Sequence, residues 1–293
     1  MGEIETLTQI NLNDLVNAFG WQGRPVLARL IRLIFWRTAR DFARQMVLFD
    51  SWVGSRGLGE AACLTEQQYV REVRLFGREL LPDGPCILLA NHPGMTDALA
   101  LLAALPRPDL RVVALDRPFL LALPNVSRHL FFVREEVQER FSLVRRINRH
   151  LRSGGSILTF PAGHTEPDPD TQTGAVESLQ SWTDSAGIFV RLAPDTLIVP
   201  VCVRGVNWDK AINHPIARWR RAALDRHLLA SAMQLIANVS FHVRPVVARI
   251  QIGAPIRAAE LGSTDLPTVH RAVVASMRRL IETPPAGGGV SIL

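Results

Sequence analysis

A histidine and an aspartate five residues apart, in Asn91-His92-Pro93-Gly94-Met95-Thr96-Asp97, directly follow the apolar run Cys86-Ile87-Leu88-Leu89-Ala90. A loop that leaves a strand end and enters a helix is a favoured place for reactive groups, because rigid elements hold them while solvent still reaches them. Pro93 and Gly94 favour a tight turn, and Thr96 is placed to cap a helix beginning at Asp97. Such a turn folds His92 back over the first helical residue. The Asp97 carboxylate can then accept a hydrogen bond from one imidazole nitrogen and leave the other as a base. This is the His–carboxylate half of a triad, with a substrate hydroxyl in place of the serine. The chain has no Gly-x-Ser-x-Gly to supply a nucleophile of its own.

The elements that must position this pair follow from hydrophobic patterning. Short apolar runs predict strands at Val70–Phe76, Cys86–Ala90, Arg111–Leu115, Leu130–Val133, Ser156–Phe160, Leu197–Val203 and Val246–Ile252. Helices are predicted at Asp97–Leu105, Gln138–Leu151 and Thr183–Leu192, with a basic amphipathic helix over Ile216–Val239 and a closing one over Asp265–Ile281. Strands alternating with helices imply an α/β fold with a mixed, largely parallel sheet flanked by helices. The expected organisation is an N-terminal amphipathic region (1–65), a catalytic domain (66–282) and a flexible tail (283–293) rich in Pro and Gly.

The first organised segment is expected from Val26 to Phe49. At about 100° per residue, Arg29, Arg32, Arg37, Arg40 and Arg44 share one arc, while Leu27, Ile31, Ile34, Phe35, Phe42, Met46 and Phe49 crowd the other side. Leu33, Trp36 and Val47 interrupt the basic arc. A basic face opposed to a Phe-rich one suits a helix lying in a membrane interface, and equally a helix packed on its own core. The net charge of +6, carried by arginine with Lys210 the only lysine, is compatible with anionic lipid or an acidic substrate. Nucleic-acid binding is not expected, since no basic and aromatic residues interleave in a recognisable module. The chain shows no secretory signal and no apolar run of spanning length, so peripheral contact on the cytoplasmic side is expected. Cys63, Cys86 and Cys202 are scattered without metal-ligand spacing and read as reduced core thiols.

Beyond the dyad, an ordered series of landmarks resembles the glycerophospholipid acyltransferases, the family of lysophosphatidate and glycerol-3-phosphate acyltransferases. The His-x4-Asp segment is similar to its first motif, and Arg74 to Pro85 to the strand and turn leading into it. Arg111 to Arg117 resembles its next strand, and Phe131-Phe132-Val133-Arg134 its second motif. Phe160-Pro161-Ala162-Gly163-His164-Thr165 stands where the family has Phe-Pro-Glu-Gly-Thr-Arg, Ile198 to Val201 matches a fourth block, and Val247 to Ile256 a late strand. The resemblance implies transfer of a fatty acyl group from acyl-CoA or acyl carrier protein to a lysolipid hydroxyl, without an acyl-enzyme, cofactor or metal. It implies His92 as general base and Asp97 as its orienting partner. Arg134 would hold an acceptor phosphate, Gly163 would let the backbone approach the substrate, and Asn91, Arg117, His164 and Thr165 complete the expected binding set, His164 being equally suited to cap a turn.

The third motif departs from the family: Ala162 replaces its Glu, His164 its Thr and Thr165 its Arg, and Asp184-Ser185 stands where Lys-Gly is common. Each lost charged hydrogen bond to a phosphate is worth about 1.5–3 kcal/mol. The expected acceptor is therefore a lysophospholipid with a head group, or a neutral hydroxyl compound, rather than a phosphate monoester. Two other readings compete: a silent lipid-binding protein, and a hydrolase with a metal on His92, Asp97 and His164. The acidic loop Glu166-Pro167-Asp168-Pro169-Asp170 is expected to be solvated, and Arg134 alternatively pairs with Glu135 or Glu136.

Overall fold

The computed structural model of the chain describes residues 2–134 and 136–293. In chain order the elements are α1 (Glu3–Phe19), α2 (Pro25–Arg56), α3 (Leu58–Glu66), β1 (Glu72–Phe76), β2 (Cys86–Ala90), α4 (Asp97–Ala104) and β3 (Leu110–Leu115). The short helices α5 (Pro118–Leu121) and α6 (Pro124–Ser127) lead to β4 (Leu130–Val133), α7 (Val137–Arg152), β5 (Ser156–Thr159), α8 (Ser185–Leu192) and β6 (Leu197–Arg204). The chain closes with α9 (Asp209–Ile212), α10 (Ala223–Phe241), β7 (Val247–Ile252), α11 (Leu266–Glu282) and β8 (Val290–Ser291).

The strands form one sheet in the order β4-β3-β5-β2-β6-β7-β1-β8. The five from β4 to β6 are mutually parallel, β7 runs antiparallel to β6, and β1 lies parallel to β7. This is the expected mixed, largely parallel α/β sheet. Strand β2 lies between β5 and β6, and all five of its residues are buried, as a strand covered by helices on both faces requires. Its alternation splits the core. Cys86, Leu88 and Ala90 join the cluster containing α2, α3 and α4 residues, while Ile87 and Leu89 join the one containing α7, α8 and α11 residues. The thiols of Cys86 and Cys202 are buried and unpaired.

The chain opens with α1, which runs from Glu3, caps on left-handed Gly20, and buries Leu7, Leu12, Leu15 and Val16 against the neighbouring helices. Two expectations change. The helix expected over 216–239 starts only at Ala223. Arg218, Trp219, Arg220 and Arg221 precede it, and Arg220 turns back to Asp225 at 2.7 Å. The tail ends in a short strand: β8 pairs antiparallel with β1, and Ile292 N–H donates to the Val73 carbonyl at 2.9 Å. An otherwise open edge of β1 is thereby closed.

Helix α2 reverses part of the amphipathic reading. The phenylalanines face protein: Phe42 stacks on Phe119 at 6.0 Å and meets Tyr69 edge-on, and Phe35 packs on Phe19 at 6.1 Å. The exposed large apolar residues of α2 are Val26, Leu30, Leu33, Ile34, Trp36 and Leu48, two of which had looked like interruptions of the basic arc. We expect Phe42→Ser to lower stability by about 2–3 kcal/mol, read from the urea midpoint, since an aromatic truncation leaves an unfilled site. An unchanged midpoint accompanied by lost lipid binding would place the Phe face on the membrane instead.

Candidate active site

The five parallel strands deliver their carboxyl ends to one edge of the sheet, where ligands of open α/β sheets bind. The loop after β2 carries His92 and Asp97, that after β3 carries Asp116 and Arg117, and that after β4 begins with Arg134. The β5 loop brings Phe160 to Asp170, and the β6 loop Gly205 to Asn207.

The ladder between β2 and β6 ends at Ala90 and Val201. Asn91 extends it with its side chain: Nδ2 donates to the Val203 carbonyl at 2.8 Å and Val203 N–H donates to Oδ1 at 2.7 Å. Asn91 is buried and its amide is spent on β6, which corrects its placement in the substrate set. The chain then turns sharply through Gly94 and Met95, with φ of 85° and 55°. Left-handed backbone at a non-glycine residue costs about 1–3 kcal/mol and persists only where the surroundings impose it. Here the imposing group is Asp97.

Asp97 is 1% exposed. Its Oδ2 faces His92 Nδ1 at 2.7 Å and accepts from Gly94 N–H at 2.8 Å, while Oδ1 accepts from Ala98 N–H. With Nδ1–H donating to the carboxylate, Nε2 carries the lone pair and is free for a substrate. Phe160, from the β5 loop, packs on the imidazole with centroids 4.6 Å apart. Burial of the ring opposes its protonation, but the charge and hydrogen bond of Asp97, aided by Glu166, outweigh this and hold His92 above its usual value. Arg117 acts in the opposite sense.

Thr96 does not cap α4, contrary to expectation. Its hydroxyl points to the Glu66 carboxyl on α3 without reaching a well-formed hydrogen bond. Glu66 is fully buried; that burial pushes its carboxyl well above the usual range, and the charge of Asp97 adds to the effect against the Thr96 hydroxyl. On the other side of the turn, Asn207 Nδ2 donates to the Pro93 carbonyl at 3.0 Å, and His227 of α10 stands beside Gly94. A Cβ at Gly94 would lie 3.2 Å from His227 Nε2 and 3.3 Å from the Thr165 methyl, so a side chain there would have to push these neighbours aside as well as hold a strained left-handed φ. Burial holds His227 below its ordinary value, the Pro93 carbonyl and Asp97 partly offsetting it.

The acidic loop is not solvated as expected: Glu166 and Asp168 point inward and are 1% and 0% exposed. Asp168 accepts backbone N–H bonds from Gly205, Val206, Asn207 and Asp170, which ties the β5 and β6 loops together. Glu166 accepts from His92 N–H at 2.9 Å, from Trp182 Nε1 at 2.8 Å and from Ser178 Oγ at 3.0 Å, and its own N–H donates to the His92 carbonyl at 2.7 Å. Alternating Pro and acid signalled a surface loop, and nothing local in the sequence marked these carboxylates as anchors. Glu66, Asn207 and His227 escaped for the same reason: each reaches the turn from a distant element.

The remaining binding candidates divide. Arg117 is exposed, and its charge acts on both His92 and Asp14 of α1, so it stands beside the base. Arg134 Nε bonds Asp116 at 2.8 Å and its Nη1 lies 3.9 Å from Glu139, so its cation is already matched; Glu135 lies outside the described residues. Arg117 and Arg134 line one groove of about 950 Å³ with Leu115, Asp116 and Val133. Gly163 takes a left-handed φ of 69° in a turn closed by its N–H to the Phe160 carbonyl, and a Cβ there would meet open space. His164 is exposed and its Nδ1 lies 3.0 Å from the Thr165 carbonyl, the turn contact rather than a site contact. Among the described residues no three His, Cys, Asp or Glu side chains converge to hold a metal, so His164 does not join the dyad in such a cluster.

Residues 72–204, from the start of β1 to the end of β6, match the family model described as Acyltransferase, and the His92–Asp97 pair lies within the matched residues. No curated protein sequence matches the chain. Among solved structures, the 1-acyl-sn-glycerophosphate (LPA) acyltransferase PlsC from Thermotoga maritima is similar over 95% of this chain and 99% of its own, with 17% identity and a TM-score of 0.46.

The geometry sets a pH dependence. A base works only when neutral, so turnover is expected to rise with pH through a His92 pKa held above the usual imidazole value and to level off beyond it. Asp97→Asn removes the attraction that raises this value, so the rising limb should move to lower pH while the plateau falls. A pH–rate profile of each protein checks both; a limb that stays in place in Asp97→Asn would show that another group titrates.

Proposed function

We propose that the chain transfers a fatty acyl group from an acyl thioester, acyl-CoA or acyl carrier protein, to a hydroxyl of a lysophospholipid-type acceptor at a membrane surface. The observation that carries this reading is the His92–Asp97 pair, closed at 2.7 Å at the end of a central parallel strand with Nε2 left over. His92 Nε2 takes the proton from the acceptor hydroxyl as its oxygen attacks the thioester carbonyl. The new C–O bond forms, the C–S bond breaks, and the thiolate leaves with the proton returned by the imidazolium. Asp97 keeps the ring in the tautomer that can accept, and stabilises the imidazolium. No residue of the chain is acylated in this scheme.

The charges beside the base bear on the acceptor. Arg134 is matched by Asp116, Thr165 carries no charge, and Ala162 offers none, which leaves Arg117 nearest the imidazole. One cation suits a phosphodiester with its single charge better than a phosphate monoester. The membrane reading draws support from α2, where Val26, Leu33 and Ile34 are 77%, 79% and 58% exposed beside Arg29 and Arg37. Phe241 of α10 extends this surface, because the adjoining Ser240 bonds Thr38 of α2 at 2.7 Å. No helix among the described residues is long and apolar enough to cross a membrane. Apolar side chains interleaved with arginine suit shallow insertion among anionic head groups.

His92→Ala should lower kcat at least about 10²-fold, as expected for loss of a general base, with the fold retained. Activity within a few-fold of wild type would sink the assignment. Run with equimolar acceptors and mass-spectrometric detection, the same assay should favour head-group lysophospholipids over lysophosphatidate and glycerol-3-phosphate; the reverse order would mean that cations outside the third motif hold the phosphate. Separately, Leu33→Ser with Ile34→Ser should weaken co-sedimentation with anionic vesicles while leaving the urea midpoint close to wild type. Undiminished sedimentation would move the contact surface elsewhere.

A further inference from the structure

We infer that Glu166 is a positioning residue for the base: its buried carboxylate fixes the His92 backbone and sets a second negative charge behind the imidazole. The inference rests on the general-base reading of His92 and deepens it. Glu166 and His92 exchange two hydrogen bonds, His92 N–H to Glu166 Oε2 at 2.9 Å and Glu166 N–H to the His92 carbonyl at 2.7 Å. The first residue of the catalytic loop is thereby gripped at both backbone polar groups by one residue of the β5 loop. Asn91 and Asp97 hold the residues before and after it through other atoms, so the Glu166 contact is what fixes the His92 peptide itself.

The partners of Glu166 are those that suit an anion. Three donors converge on it, from His92, Trp182 and Ser178, and its carboxyl donates to none of them. A protonated acid in this cradle would set its own O–H against one of those donors. Burial outweighs the three donors and the charge of His92, so its pKa stays above the usual carboxylate value, and the donors are what limit that rise. The charged and titratable groups facing His92 are then Asp97 from α4, Glu166 from the β5 loop, Arg117 ahead of α5 and His227 from α10, with Glu66 of α3 behind Asp97. Two carboxylates and one guanidinium leave the imidazolium favoured. A carboxylate that merely satisfied Trp182 and Ser178 would need neither the bond to His92 nor this charge.

Glutamine is nearly isosteric with the acid but brings an N–H₂ group that must oppose either His92 N–H or the Trp182 and Ser178 donors. In pH–rate profiles of acyl transfer, Glu166→Gln should lower kcat roughly 10–100-fold, the scale of a misplaced catalytic group. KM for donor and acceptor should stay near wild type, and the rising limb should move to lower pH. Trp182→Phe removes one donor but keeps the charge, so its limb should stay where the wild type has it. A Glu166→Gln enzyme with the wild-type limb, or with undiminished kcat, overturns the assignment. Should that variant not fold, Glu166→Asp decides. Its shorter carboxylate keeps the charge but cannot span from His92 to Trp182, so reduced kcat on an unmoved limb supports the assignment and wild-type kcat overturns it. His92→Ala in the same series separates the two readings. Its full activity would remove both, whereas its loss beside an unaltered Glu166→Gln would remove only the role of Glu166.

Discussion

The arrangement at the sheet edge depends on one buried carboxylate. Asp97 receives the imidazole of His92 and the N–H groups of Gly94 and Ala98, and these are the contacts that make an unfavourable turn the stable one. A buried carboxylate without donors is very costly, so the chain around it must supply them. The left-handed residues at 94 and 95 are the means: they turn the Gly94 N–H inward and bring His92 above the start of α4. The position of Asp97 in the first turn of that helix adds the favourable end of the helix dipole. The proposed function and the local strain therefore share a cause, since the geometry that orients His92 is the one that satisfies Asp97.

What surrounds the turn explains why it does not relax. Neighbouring parallel strands place their exits side by side, so the loops after β5 and β6 flank the loop after β2. Asp168 binds the β6 loop, Asn207 of that loop holds Pro93, and Glu166 holds His92. Each contact is a side chain meeting a backbone group of another loop, which a parallel sheet alone cannot provide once its ladders end. Loops tied this way present reacting groups with the precision of regular elements, and pre-organisation of that kind accounts for a large share of a catalytic effect.

Much of this was legible in the sequence, and the parts that were not share a physical character. The strands around the dyad were visible because fully buried parallel strands read as unbroken apolar runs, as in Cys86–Ala90. His92 and Asp97 were visible because their contact is local. Glu166 and Asp168 were not, since alternation with Pro167 and Pro169 looks like a surface loop until the partners from β6 and α8's approach are in place. Thr96 was misjudged as a cap because its competition with Glu66, thirty residues earlier in the chain, is tertiary. On α2, periodicity identified two faces but left open whether the Phe side met lipid or protein: that side meets α1, α5 and Tyr69, leaving Leu33 and Trp36 outside with the arginines. Amphipathicity tells that a helix has a buried face, and only the neighbouring elements tell which apolar residues belong to it.

The N-terminal helices illustrate how far that tertiary dependence reaches. Leu7, Ala43, Met46 and Phe49 lie in the same core cluster as Leu88 of β2 and Ala100 of α4. The last residue of α3 is Glu66, whose carboxyl sits against Thr96 and behind Asp97. Burial pushes that carboxyl well above the usual range, and the neighbouring charge of Asp97 acts in the same sense. Removing these helices would thus take away more than the exposed apolar surface proposed to meet lipid. It would open the underside of α4 to water and replace the buried acid at Thr96 with solvent, altering the surroundings of Asp97. The outward side of α2 and the inward side of α3 belong to one packed body, so the proposed contact with a lipid surface and the electrostatics of the His92–Asp97 pair depend on the same helices.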